Sequence, residues 1–235
     1  MDYISKYEQL PSLYFVNKYK GLVANIENKD FLRKDILLSQ RANDLTTVIS
    51  FARINLQDSI CMTDNRYRQY IYALNSLLWY NSCFDYVWQY AYFDKVATNV
   101  TDKNYEHLLQ QIHPSSRPNE KALLHYTALI ELHKKSQVLR SFANKLKHRL
   151  PIFDIDKQNG IAFFNLGSAN PNSIIGYDID WNSMFSSEGS IVHDPVKITT
   201  IWDMLFQADK DIYSFYIDEI ISSHSKIKIY YYGTK

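Results

Sequence analysis

Residues 71–93, IYALNSLLWYNSCFDYVWQYAYF, are apolar or aromatic on nearly every side of a helix. A helix of that kind buries its surface only when other helices surround it, so this stretch dictates a bundle with itself at the centre. The predicted helix runs from Asp64 or Asn65 to about Phe93. One polar thread interrupts it: Asn75, Ser82, Asp85 and Gln89 lie on one side, at offsets of seven, ten and fourteen residues. Such a thread reads either as a solvent-facing stripe or as a polar seam along a cleft.

The flanking sequence supplies the surrounding elements. Residues 12–27 read as a first helix with Ser12 as its cap. From Asp30, the apolar residues Phe31, Ile36, Leu37, Leu38, Leu45, Val48, Ile49 and Leu56 recur mainly at three- and four-residue steps, predicting a long amphipathic helix. A short helix is expected over Thr101–Gln111. A restart near Ser116 and Pro118 opens a helix that can run unbroken to Arg149, where Pro151 helps to stop it. After Pro151 the period changes. IFDIDKQNGIAFFNL reads as two alternating runs around Asn159-Gly160, a strong hairpin signal, and SIIGYDIDW suggests a further strand. A last long helix follows, with Asp194 at the cap and Pro195 in the first turn. It is acidic through Asp203, Asp209, Asp211, Asp218 and Glu219. KIKIYYYG is expected to close the chain as a strand beside the hairpin.

The predicted fold class is therefore mainly α: a multi-helix bundle with a small antiparallel β-sheet inserted before the last long helix. The 235 residues suit a single helical domain, with N-terminal helices over 1–63, core helices over 64–150, and a hairpin, acidic helix and terminal strand over 151–235. Six glycines and six prolines are too few for a turn-rich sandwich.

Net charge is +1, which excludes a global field drawing the chain to nucleic acid or membrane; such binding needs local charge. The opening MDYISKYEQL has no cationic segment leading into an apolar run, and no apolar run reaches spanning length, so a soluble cytoplasmic protein with no membrane partner is expected. Cys61 and Cys83 read as reduced, buried thiols. Neither H-E-x-x-H nor C-x-x-C occurs, and the histidine pairs His107/His113 and His125/His133 lack ligand spacing with a third partner, so no metal and no cofactor is expected. The paired carboxylates of FDID and YDID read as edge-strand solubility.

The local charge is found between His133 and Leu150. This run holds four lysines, two arginines and two histidines without a single Asp or Glu. Within it Arg140, Asn144 and His148 follow at four-residue steps, each about 40° further round the helix, on the side away from Leu139, Phe142 and Leu146. Lys147 flanks them and Arg149 sits nearer the apolar edge. A histidine exchanges protons near neutrality and an arginine holds phosphate oxygens in two parallel hydrogen bonds, which together suit a phosphodiester. Two plainer readings stand beside this one. Cations complement the negative end of a helix dipole, and the acidic last helix can neutralise a basic neighbour.

NKLKHR near the end of a long helix, after an aromatic-rich one, resembles the HEPN superfamily of small helical bundles. The resemblance covers residues 64–149. In that superfamily an Arg, four to six further residues and a His form the motif; here seven residues separate Arg140 from His148, and Ser141 follows the Arg. The resemblance implies an RNA-handling protein, either a metal-independent endoribonuclease of a toxin–antitoxin or antiviral system or an inactive RNA-binding relative. It further implies a homodimer and an antitoxin or defence partner. His148, Arg140 and Asn144 are then the catalytic candidates, and Lys134, Lys135, Lys145, Lys147 and Arg149 the RNA-binding ones. The alternative is a non-catalytic helical module that binds another protein through the same ridge.

Overall fold

The computed structural model describes residues 2–17, 29–95, 126–148, 150–154, 160–164, 196–221 and 228–231. These are mainly helical, as expected. Two long helices, α2 (Lys29–Cys61) and α3 (Arg66–Lys95), form an antiparallel hairpin. Its turn is set by Asn65, whose side-chain oxygen accepts from the Arg68 backbone N–H at 3.0 Å and so caps α3. Small polar residues zip the pair together: Ser59 donates to the Gln69 carbonyl at 2.7 Å and Ser76 to the Ala52 carbonyl at 2.8 Å.

Helix α3 is the centre of the bundle. It buries Tyr70, Ala73, Leu77, Tyr80, Cys83, Phe84, Val87, Tyr90, Ala91 and Phe93, and α2, α4 (Thr127–Lys135), α5 (Gln137–His148) and α6 (Ile198–Phe215) all pack on it. It is not enclosed on every side: Asn75 and Trp79 reach solvent, and Trp79 meets the exposed Phe51 of α2 at 5.2 Å between ring centres. Further along the polar thread Ser82, Asp85 and Gln89 are half-buried, so it is open at one end and partly covered at the other. Helix α6 presents Ile201, Trp202, Leu205, Ala208, Ile212 and Phe215 to the core and continues as a π-helical segment, Tyr216–Ile221.

Several expectations are corrected. A short helix α1 (Tyr3–Glu8) opens the chain, capped by Asp2, whose carboxylate accepts from the Ser5 N–H at 2.7 Å; that bond holds its pKa below the usual carboxylate value. The helix expected from Ser12 is instead a strand, β1 (Tyr14–Asn17), over the residues described there. It pairs antiparallel with β5 (Lys228–Tyr231), so the terminal strand lies against the N-terminal segment and not beside the hairpin. Strands β2 (Leu150–Asp154) and β3 (Gly160–Phe164) pair from Leu150↔Phe164 to Asp154↔Gly160, and β4 (Val196–Lys197) adds to β3. Because residues 196–197 pair as a strand, α6 starts at Ile198, later than the Asp194 cap implies. The helix expected to run unbroken to Arg149 is divided at Ser136, whose hydroxyl turns back to the His133 carbonyl at 2.8 Å. Of the two thiols Cys83 is buried and Cys61 exposed. The expected helix over 101–111, the restart at Ser116, the Asn159 turn position and the strand in SIIGYDIDW lie outside the described residues.

Buried polar contacts fix α6 and its π-helical continuation on the α2–α3 hairpin. Thr46 donates to the Tyr216 hydroxyl at 3.2 Å, the Trp202 indole donates to Ser59 at 2.8 Å, and Arg53 grips Asp209. Ser59 is fully buried and answers both the indole N–H and a helix carbonyl. Ser59→Ala strands the indole donor, and we expect a loss of about 1–3 kcal/mol in urea denaturation.

Candidate nucleic-acid interface

Helix α5 is strongly two-sided. Leu139, Phe142 and Ala143 are buried against the core and Leu146 is half-buried, while Val138, Ser141, Asn144 and Lys147 are exposed. The apolar stripe at three- and four-residue steps drives the docking, and the polar residues between its members are thereby turned outward. Helix α4 repeats the pattern, with Leu129 and Leu132 buried and Lys134 and Lys135 exposed. Residues 132–148 thus present cations to solvent without an intervening carboxylate.

Arg140 is half-buried, and its direction is specific. Its Nη1 donates to Nδ1 of His133 at 2.6 Å, seven residues back and so close to two helical turns away. The His133 ring in turn meets Trp88 of α3 edge-on, with ring centres 6.0 Å apart and planes at 85°. A guanidinium can only donate, so Nδ1 must be the accepting nitrogen, and the ring proton of this neutral tautomer lies on Nε2. The other N–H groups of Arg140 remain donors suited to an anion, and His133 in this state cannot take up a proton at Nδ1 without releasing Arg140.

The other expected site residues fall as follows. Asn144 and Lys147 share the outward side of α5 with Arg140. His148 is the last residue of that helix, about 12 Å along the axis from Arg140 at the standard rise; its side chain lies outside the described residues, as do the Lys145 side chain and Arg149. The partners that the sequence reading missed are His133 and Trp88. The signal for His133 was its seven-residue interval from Arg140, which places both on one helical side; nothing local indicates Trp88.

Among the described residues, the acidic helix meets this ridge in one ion pair. Asp211 faces Lys135 at 3.8 Å. Asp203 is engaged by Lys6 at 3.0 Å and by the Tyr3 hydroxyl at 3.2 Å, Asp209 by Arg53, and Asp218 by Ser214 at 2.8 Å. Glu219 accepts from Tyr126 at 2.8 Å; burial, and then that contact, push the phenol pKa far up. Because the Lys135 side chain is 60% exposed, water screens its pairing with Asp211. We expect Lys135→Ala to shift the thermal midpoint by no more than about 0.5 kcal/mol corresponds to, an outcome readable by calorimetry.

Among the described residues no group of three or more His, Cys, Asp or Glu side chains is placed to hold a metal ion. No helix among them is long and apolar enough to cross a membrane. No protein-family model matches the chain, and no curated protein and no solved structure matches it.

Proposed function

We propose that this chain is a HEPN-like RNA-handling protein that holds the sugar–phosphate backbone on the cationic side of α4 and α5, as a binding relative more than as a ribonuclease. The observation that carries the reading is the outward set of Lys134, Arg140, Asn144 and Lys147 on a stretch without carboxylates, with Arg140 held by His133. Phosphate contacts of this kind supply sequence-independent affinity. Cleavage would need a histidine that accepts a proton from the RNA 2′-hydroxyl, and the couple with Arg140 withholds His133 from that role. His148 is the remaining candidate on α5. The homodimer and the antitoxin or defence partner belong to the same proposal.

A labelled single-stranded RNA titrated with purified protein in EDTA tests binding and cleavage together. The expected result is saturable binding without strand scission, a loss of about tenfold for Arg140→Ala, and less than about twofold change for His148→Ala. Scission in EDTA that disappears in His148→Ala would make the protein a metal-independent ribonuclease. Absence of binding at low salt would leave the ridge to a protein partner.

A further inference from the structure

We infer that the space between the N-terminal segment and α6 is a binding site for a small aromatic acid, a single flat ring carrying a phosphate or carboxylate. Residues 2–13 run along α6 as a strap fastened at two points. At one end the Tyr3 hydroxyl and Lys6 both reach Asp203, and the Tyr3 ring sits edge-on to Trp202 with centres 4.8 Å apart. At the other end Arg53 donates to the Pro11 carbonyl, the Tyr213 hydroxyl donates to the Ser12 carbonyl at 3.1 Å, and Leu13 is buried. Between these fastenings the strap stands off the helix and leaves a cavity of about 620 Å³. That volume is ample for a small ligand.

The lining specifies the ligand's chemistry. Leu10, Pro11, Phe206 and Tyr213 form apolar and aromatic walls, suited to the faces of a flat ring. Lys6 and Lys210 bring positive charge to the same space. The two carboxylates that also line it are already matched, Asp203 by Lys6 and Asp209 by the Arg53 guanidinium behind it. Lys210 is exposed and has no ion-pair partner among the described residues. One cation at the rim of an aromatic slot thus remains to be answered, and an anionic group on the ring answers it. This site is separate from the α4–α5 ridge and does not depend on how that ridge functions.

The test uses the full chain and four probes: phenyl phosphate, phenylacetate, benzylamine and inorganic phosphate, titrated by calorimetry with intrinsic tryptophan fluorescence as a second signal. At least one of the two aromatic acids should bind with Kd below about 1 mM. Benzylamine and inorganic phosphate should each bind at least about tenfold more weakly, because each lacks one half of the recognised chemistry. Lys210→Gln should weaken the aromatic acid about tenfold at an unchanged thermal midpoint. Comparing the two acids identifies the preferred head group. An excess of RNA should not displace either. Equal binding of benzylamine, an unchanged affinity in Lys210→Gln, or no saturable binding of either acid would each overturn the site.

Discussion

Asp209→Ala is expected to cost about 3–5 kcal/mol, a large share of the stability of a domain this size. Asp209 is 1% exposed and accepts from Arg53 Nε at 2.7 Å, from Arg53 Nη2 at 2.8 Å and from the Tyr80 hydroxyl at 2.7 Å. Burial opposes the charge on Arg53, but the Asp209 contact outweighs it and holds the guanidinium pKa above its ordinary value. Removing the carboxylate leaves a buried cation held by the Pro11 carbonyl and the face of the Tyr213 ring, with no opposite charge against it among the described residues, and strands the Tyr80 phenol as well. The double variant Arg53→Met with Asp209→Leu should recover most of the loss, since no buried charge is then unmatched. Urea midpoints at constant slope measure both. A loss under about 1 kcal/mol for Asp209→Ala would contradict this placement of the pair.

The same cluster carries a pH signature. Burial, and then the Asp209 charge, push the Tyr80 phenol well above its ordinary value of about 10. The folded state therefore keeps a proton that the unfolded chain releases near pH 10. Its contribution is complete below that value and is lost as pH rises towards the folded pKa. Tyr126, also raised by burial first and by Glu219 next, acts in the same direction. Stability should fall above about pH 10, and less steeply in Tyr80→Phe once its lower starting stability is taken as the reference.

The second large effect is on RNA. Under the proposed function, reversing Arg140 and Lys147 to Glu should lower affinity by about two orders of magnitude at low salt, because each change would remove one proposed phosphate contact and add a repulsion. Lys147 is exposed on the side of α5 away from the apolar stripe, so its reversal leaves the core packing untouched. The Arg140 change also removes the hydrogen bond to His133, so folding is checked by the thermal midpoint.

How much of this was legible in the sequence follows from the range of each interaction. The helical period of residues 30–56 and 65–93 comes from neighbours three and four apart, and α2 and α3 appear where that period places them. The start expected at Asp64 or Asn65 is equally local, and the Asn65 cap is what the structure adds. The first helix failed because the apolar spacing of Tyr14, Phe15 and Val16 fits a strand as well as a helix, and its partner Lys228–Tyr231 is more than 200 residues away. The break at Ser136 interrupts an intact periodic pattern, so the pattern could not reveal it. In the candidate site the outward positions of Asn144 and Lys147 followed from the wheel, whereas the turn of Arg140 towards His133 depends on how Trp88 of a different helix supports that ring. The Arg53–Asp209 pair joins residues 156 apart, and neither has a local feature marking it as buried. In the sequence Asp209 reads as one more acidic residue of the last helix.

The salt dependence of RNA binding tests the ridge most directly. For a single-stranded RNA, log K should fall linearly with log salt with a slope of about −0.7 for each phosphate neutralised. Contacts from Lys134, Arg140 and Lys147 predict a slope of at least about −2 for the wild type. In Arg140→Ala combined with Lys147→Ala the slope should become shallower by about 1.4. A slope that is unchanged in that double variant would place the RNA elsewhere on the protein, and a wild-type slope near zero would contradict phosphate recognition altogether.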